Sequence, residues 1–234
     1  MTNLCVIPAR GGSKRIPRKN VLPFRGKPMI AWSIQAAQKC GCFDKIIVST
    51  DDQEIADISR LLGAEVPFIR PCDLADDHSG TREVVEHAVV ELQSMGQNFI
   101  QVCCLYATAP FVREVDICQG FELLKRSREG TVVFAATSFA FPIQRAVSLD
   151  ADGYSSAFDP ISVAKRSQDL EEYFHDAGQF YWAAASTWRQ SINLFDSGRP
   201  LILPRWRVQD IDTHEDWRRA ELMHSVLAKE LLDA

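Results

Sequence analysis

The sequence predicts an α/β protein built on a mostly parallel sheet flanked by helices, and three observations predict it. Short apolar runs, partly β-branched, alternate with stretches of helical periodicity as far as Thr137. The apolar runs are nearly continuous, as in strands buried on both faces. The helical stretches between them are long enough to serve as right-handed crossovers.

In chain order, strands are expected over 4–8, 45–50, 65–69, 99–106 and 131–137, and helices over 28–39, 53–62, 81–92 and 114–126. In the third helix Val84, Val85, Ala88, Val89 and Leu92 recur at helical spacing, with Ser79 or Thr81 available as its N-cap. From about 139 to 178 the alternation weakens and turn residues gather, which predicts an excursion from the main sheet. Phe139, Phe141, Phe158, Phe174, Phe180, Tyr181 and Trp182 make this middle segment rich in aromatics. Thr213-His-Glu-Asp216 reads as a capping box, and Trp217, Ala220, Met223, Leu227 and Leu231 form the apolar face of a last helix.

A chain of 234 residues with 46% hydrophobic and 24% charged composition suits one core, so a single domain over 1–234 is expected. The apolar run 4–9 is too short for a signal segment or a membrane span, which predicts a soluble, cytoplasmic protein without a membrane partner. The seven cysteines are odd in number, and Cys40/Cys42 and Cys103/Cys104 lack the C-x-x-C spacing of zinc or redox sites. Free, mostly buried thiols are expected.

Charge is distributed unevenly. The first 43 residues hold eight Lys/Arg and no acid, although the whole chain carries a net charge of −5. A nucleic-acid surface recruits several basic segments, whereas this chain has one cluster on an otherwise acidic background. The pattern favours a small polyphosphate.

The cluster lies in Pro8-Ala-Arg-Gly-Gly-Ser-Lys-Arg-Ile-Pro-Arg-Lys-Asn20, at the carboxyl end of the first strand, where ligands of such sheets bind. Gly11 and Gly12 allow backbone N–H groups to turn toward an anion, and Arg10, Lys14, Arg15, Arg18 and Lys19 supply countercharge. The spacing matches neither a P-loop nor the G-x-G-x-x-G of a dinucleotide fold. A solvated basic turn is the plainer alternative. Further on, Asp210-Ile-Asp212 would place two carboxylates on one side of an extended segment, a donor pair suited to Mg²⁺. Asp212 or Thr213 capping the last helix is the alternative there.

These motifs, with Ser49-Thr-Asp51 and Arg70-Pro71, fall in the order seen in cytidylyltransferases that make CMP-activated nine-carbon acidic sugars, the acylneuraminate family. The resemblance runs nearly end to end. Cys103-Cys-Leu-Tyr-Ala-Thr-Ala-Pro110, Pro142-Ile-Gln-Arg145, Arg166-Ser-Gln-Asp-Leu170 and His175-Asp-Ala-Gly-Gln-Phe-Tyr-Trp182 are similar to members acting on pseudaminic acid. Tyr106-Ala-Thr-Ala-Pro-Phe111 stands where sialic acid members carry Gln-Pro-Thr-Ser-Pro-Leu.

The resemblance implies a Rossmann-like nucleotide-diphospho-sugar transferase fold and a Mg²⁺-dependent reaction of CTP with pseudaminic acid to give CMP-pseudaminic acid and pyrophosphate. It implies that Arg10, Lys14 and Lys19 hold the triphosphate beside the backbone of Gly11, Gly12 and Ser13, and that Asp210 and Asp212 hold the metal. Asn20 lies nearer the ribose or phosphates, and Arg70, Ser79, Gly80 and Thr81 line the cytosine pocket. On the sugar side it implies Arg145 and Arg166 for the carboxylate, with Tyr106, Thr108, Gln144, Gln168, Asp169, His175, Asp176 and Tyr181 placed to read the other groups. His175 is expected to pack or hydrogen-bond rather than serve as general base. The excursion is implied to form a homodimer contact that closes over the partner's sugar site. Sialic, legionaminic or eight-carbon acid sugars, and a non-catalytic nucleotide-sugar sensor, are the alternative readings of the same residues.

Overall fold

The computed structural model describes residues 2–76, 79–190, 193, 195–196 and 198–230. The strands are β1 (Asn3–Pro8), β2 (Pro23–Phe24), β3 (Lys27–Pro28), β4 (Lys45–Ser49), β5 (Gln101–Leu105), β6 (Val133–Ser138), β7 (Val147–Leu149), β8 (Ser155–Ala157), β9 (Phe174–Ala184) and β10 (Arg199–Ile202). The helices are α1 (Met29–Cys40), α2 (Gln53–Leu61), α3 (Thr81–Ser94), α4 (Glu114–Lys125), α5 (Ala185–Trp188) and α6 (His214–Glu230). Leu231 lies outside the described residues. No helix among the described residues is long and apolar enough to cross a membrane.

The main sheet has six strands in the order β10-β6-β9-β5-β1-β4. Its pairs are parallel except those of β9, which runs antiparallel between β5 and β6. Side-chain alternation along β1 divides the core between two faces. Cys5 and Ile7 meet Ile30, Ile34, Ile55 and Ile117 from α1, α2 and α4, while Leu4 and Val6 meet Val85, Ala88, Val89 and Leu92 from α3. This is the expected α/β architecture.

Several local expectations are corrected. The segment 65–69 forms only an isolated bridge between Glu65 and Ile47, because Pro67 has no N–H with which to continue a ladder. Neither Ser79 nor Thr81 caps α3: Gly80 is the N-cap, without a side-chain bond. The Ser79 hydroxyl is bonded to Asp76 at 2.7 Å, and that of Thr81 to Tyr106 at 2.7 Å. Glu83 lies over the helix start instead, its carboxyl held below the usual range first by its own backbone N–H and then by Arg82. The thiols are free, but only Cys5, Cys103 and Cys104 are buried; Cys40, Cys42 and Cys118 are half-buried and Cys72 is exposed. The excursion ends by 173, because Phe174 already pairs with Ser138 of β6. Phe180, Tyr181 and Trp182 then belong to the core, whereas Phe141, Phe158 and Phe174 are exposed.

The capping box forms as read: Asp216 N–H donates to Thr213 Oγ1 at 3.2 Å, and Thr213 N–H donates to the Asp216 carboxylate at 2.8 Å. It fixes the start of α6, which packs on a third apolar cluster containing Ile16, Phe24, Met29, Phe111 and Ile211. The approach to α6 is anchored by a buried ion pair in which Arg207 donates to both carboxylate oxygens of Asp116 on α4. Arg207 O also accepts from Gln179 Nε2 of β9 at 2.9 Å. Removing one partner of such a pair strands a charge in the interior. Asp116→Ala is therefore expected to destabilise the chain by about 3–5 kcal/mol, measured as a fall in the urea midpoint; an unchanged midpoint would refute the anchoring role.

Candidate active site

β1 and β4 lie side by side, with Pro8 opposite Ser49, so the turns that follow them emerge at the same end of the sheet. The turn after β1 carries the basic cluster and the turn after β4 carries Asp51 and Asp52. Gly11 N–H donates to Asp51 Oδ1 at 3.0 Å. A Cβ on Gly11 would stand 2.7 Å from Asp52 Oδ2, whereas one on Gly12 would meet nothing within 4 Å. Gly11 is thus required by the close approach of an acidic turn, and its N–H is directed to the Asp51 carboxylate.

Arg18 is also reassigned. Its guanidinium grips Asp52, with Nη2 to Oδ1 at 2.9 Å, and also pairs with Glu54. Asp52 in turn caps α2 through Ile55 N–H at 3.0 Å. The Arg18 bond holds the Asp52 carboxyl below the ordinary carboxylate range. Arg18 sits at φ 59°, a conformation uncommon for residues with a β-carbon, and its carboxylate partners hold it there. It clasps the loop and contributes no wall to the cavity described next.

A cavity of about 330 Å³ opens at this end of the sheet. Arg10, Ser13, Lys14, Arg15, Lys19 and Asn20 line it from the basic loop, and Asp212 from the segment before α6. Arg70, Ser79, Gly80 and Thr81 form another part of the wall, with Tyr106 and Thr108 following β5. Arg10 Nη1 donates to Asp76 O at 2.6 Å, and Asn20 Nδ2 to Arg10 O at 2.9 Å. Asn20 is buried, so its amide sets the loop's shape from beneath.

Arg70 is buried, being only 3% exposed. Burial pushes its pKa down, although Asp51 lies 3.8 Å away and opposes the shift. Its Nε is buried without a hydrogen-bond partner.

Ile211 is fully buried while Asp210 and Asp212 flank it on the open side, as alternation along an extended segment requires. Asp212 accepts from Arg15 at 2.9 Å and from Lys19 at 3.3 Å, and Lys19 Nζ also reaches Ile211 O. Asp210 keeps contact with solvent on one side. Crowding by the cleft, then the neighbouring Asp212 charge, still pushes its carboxyl up.

A polar chain leads from the cavity into β9. Thr81 Oγ1 meets Tyr106 OH, whose ring lies 5.3 Å from that of Tyr181, and Tyr181 OH donates to Asp176. Burial raises the Tyr106 phenol to about 12, so at neutral pH it is a hydrogen-bonding group and not a base. His175 is exposed, with Nδ1 2.8 Å from Asp176 O and its ring edge-on to Phe139 at 4.8 Å. Gln144 is buried and donates to Glu171 O, Arg145 donates to Lys165 O, and Arg166, Gln168 and Asp169 are exposed on the excursion. None of these excursion residues lines the cavity.

The basic loop, Arg70 with the 79–81 turn, and Asp212 therefore converge, joined by Tyr106 and Thr108 of the residues expected on the sugar side, while the other residues of that set do not line this cavity. Sequence reasoning missed the Asp51–Asp52 turn and the role of Ile16. The lone apolar side chain amid five bases, Ile16 was a legible signal of burial.

The family model for cytidylyltransferases matches residues 4–192. The chain is 43% identical over 97% of its length, and 97% of the relative's, to a pseudaminic acid cytidylyltransferase of Campylobacter jejuni subsp. jejuni. It is 34% identical to a CMP-N,N'-diacetyllegionaminic acid synthase of Legionella pneumophila, over 94% of this chain and 95% of that one. In fold it is similar to a CMP:2-keto-3-deoxy-manno-octonic acid synthetase solved with CTP, at TM-score 0.71 and 17% identity, covering 98% and 100% of the two chains.

The two loop glycines make a paired test. Gly11→Ala is expected to cost about 1–3 kcal/mol through overpacking and to loosen the loop, whereas Gly12→Ala leaves the thermal midpoint close to the parent. Equal midpoints for both variants would contradict the Asp52 contact.

Proposed function

The chain belongs to the cytidylyltransferase family, and from that premise we propose that it transfers the CMP group of CTP to pseudaminic acid, releasing pyrophosphate. One observation carries the catalytic half of this reading: a cavity at the carboxyl end of the sheet joins four cations of one loop to a carboxylate beside a second carboxylate. The near full-length likeness to relatives named for pseudaminic acid supports the choice of sugar.

In the proposed reaction the anomeric hydroxyl oxygen of the sugar forms a bond to the α-phosphorus. The bond from that phosphorus to the bridging oxygen breaks, the electron pair leaves with pyrophosphate, and the hydroxyl proton passes to solvent. Such a transfer asks chiefly for alignment and for stabilisation of charge on the phosphate oxygens. Arg10, Lys14 and Lys19 hold the triphosphate along the loop. At an effective dielectric near 20, each cation about 4 Å from a phosphate charge contributes on the order of 4 kcal/mol before desolvation. Arg70 and the 79–81 turn present donors and acceptors to the cytosine edge, and Tyr106 and Thr108 bound the floor.

The donor chemistry of Asp210 and Asp212 fits Mg²⁺: both are hard carboxylate donors flanking buried Ile211, and burial, then the Asp212 charge, raises the Asp210 carboxyl. Bound there, Mg²⁺ would neutralise charge on the phosphate oxygens during transfer. Arg15 and Lys19 occupy Asp212 in the ligand-free chain, so triphosphate has to draw them over to itself for that carboxylate to turn to a metal.

The sugar side is proposed to be completed by a second copy. On the excursion Phe141 is 82% and Ile161 83% exposed, and Leu149, Tyr154 and Phe158 are also exposed. An apolar surface of this kind calls for a cover, and a homodimer would bring Arg145, Arg166, Gln168 and Asp169 of one copy toward the cavity of the other. CTP as substrate and free thiols fit the reducing cytoplasm.

Pyrophosphate release from CTP and Mg²⁺ is to be measured with pseudaminic, N-acetylneuraminic, legionaminic and eight-carbon acid sugars. The expected result is release with pseudaminic acid, and loss of nearly all turnover in Asp212→Asn while CTP still binds. Release only with another sugar would overturn the substrate assignment, and silence with all four would leave a nucleotide-sugar sensor. Sedimentation is expected to give a dimer at working concentration; a monomer that retains full turnover would refute the shared site.

A further inference from the structure

At the opposite end of the sheet from the cavity, three cysteines meet. Cys40 ends α1, Cys42 leads toward β4, and Cys118 faces them from α4. The position is fixed near the start of β1, since Asn3 Nδ2 donates to Cys42 O at 2.8 Å. The Sγ atoms of all three lie within 4.8 Å of one another, with those of Cys42 and Cys118 at 3.1 Å. Gly41 adopts φ 64°, and the left-handed turn brings the side chains on either side of it to one face. Cys42 N–H donates to Cys40 Sγ at 3.4 Å, a bond that would steady that sulfur as a ligand.

We propose that Cys40, Cys42 and Cys118 form a three-thiolate site for a soft or borderline closed-shell cation, with Zn²⁺ the ion it suits best. Sulfurs sharing one zinc at about 2.3 Å in tetrahedral geometry stand roughly 3.8 Å apart; here one pair stands at 3.1 Å and all three lie within 4.8 Å, so small side-chain shifts reach that spacing. Thiolates select zinc or copper(I) over magnesium and calcium, so the sulfur site and the carboxylate pair sort different ions by donor chemistry.

Charge balance favours zinc within the soft class. Each of the three thiols gives up its proton on binding, so Zn²⁺ leaves a single net negative charge and copper(I) leaves two. The lower charge is the cheaper one in a half-buried site. The three sulfurs leave a fourth zinc position to water or a small exogenous ligand. Burial raises the Cys40 and Cys42 thiols in the metal-free chain, which keeps them protonated and slow toward oxidants. The bound ion would tie the end of α1 to α4, two helices packed on the same sheet face.

The test uses the reduced, metal-stripped full chain, titrated with Zn²⁺ against a chromophoric chelator and with Cd²⁺ as a spectroscopic probe. The expected result is one equivalent bound, an ultraviolet thiolate-to-cadmium band, and a higher thermal midpoint with Zn²⁺. Cys42→Ser and Cys118→Ser should each lose the band and weaken zinc by more than about a hundredfold, beyond the cost of removing an outer-shell partner; Cys72→Ser should keep both. Cys42→Ala and Cys118→Ala, checked for native circular dichroism, give the same reading if a serine variant misfolds. No cadmium band, equal zinc affinity in the Cys42 and Cys118 variants, or a Cys42–Cys118 disulfide formed in air by a chain whose reduced form takes up no metal would each overturn the proposal.

Discussion

Two isoleucines set among charged residues hold the active end of this protein together. Ile16 lies inside the basic loop and Ile211 between two aspartates, and both are buried in the small cluster beneath α6. Burying each contributes about 1.5–3 kcal/mol. That contribution draws two strongly charged segments, nearly 200 residues apart in the chain, to opposite sides of one cavity. The charged side chains can remain on the wet face because the apolar side chains between them supply the attachment.

The loop still has to resist its own charge when no phosphate is bound. It does so by dividing its cations. Arg18 is committed to Asp52 and Glu54, and so locks the loop to the turn after β4. Arg15, itself exposed, rests on Asp212 in a contact of the kind that contributes little to stability, while Lys19 is more buried and reaches both Asp212 and Ile211 O. The clasp and the Asp212 contacts therefore lie on the same loop, and what sets the clasp apart is geometry, because Arg18 grips both carboxylate oxygens of Asp52.

The cytosine side is organised differently. Arg70 is sunk into the fold with an unpartnered Nε, and its charge is balanced in part by Asp51 at 3.8 Å. The turn at 79–81 spends its hydroxyls on Asp76 and Tyr106 and leaves the capping of α3 to Glu83. Side chains that would serve equally well as helix caps are thus held to the shape of the cavity wall.

The sequence by itself determined the α/β class, the first four strand-helix units apart from the proline-interrupted edge at 65–69, the last capping box, and the pairing of one basic loop with one acidic pair. Each of these is local: a run of β-branched residues, a helical repeat, or alternation about Ile211 is complete within a short window. Only the tertiary structure decided that Gly11 faces Asp52, that Arg18 is a clasp, that β9 inserts antiparallel between β5 and β6, and that Cys118 joins Cys40 and Cys42. These depend on which segments meet, and no local window carries that information, because each partner looks like ordinary surface until the sheet and the burial of a few apolar side chains bring the two together.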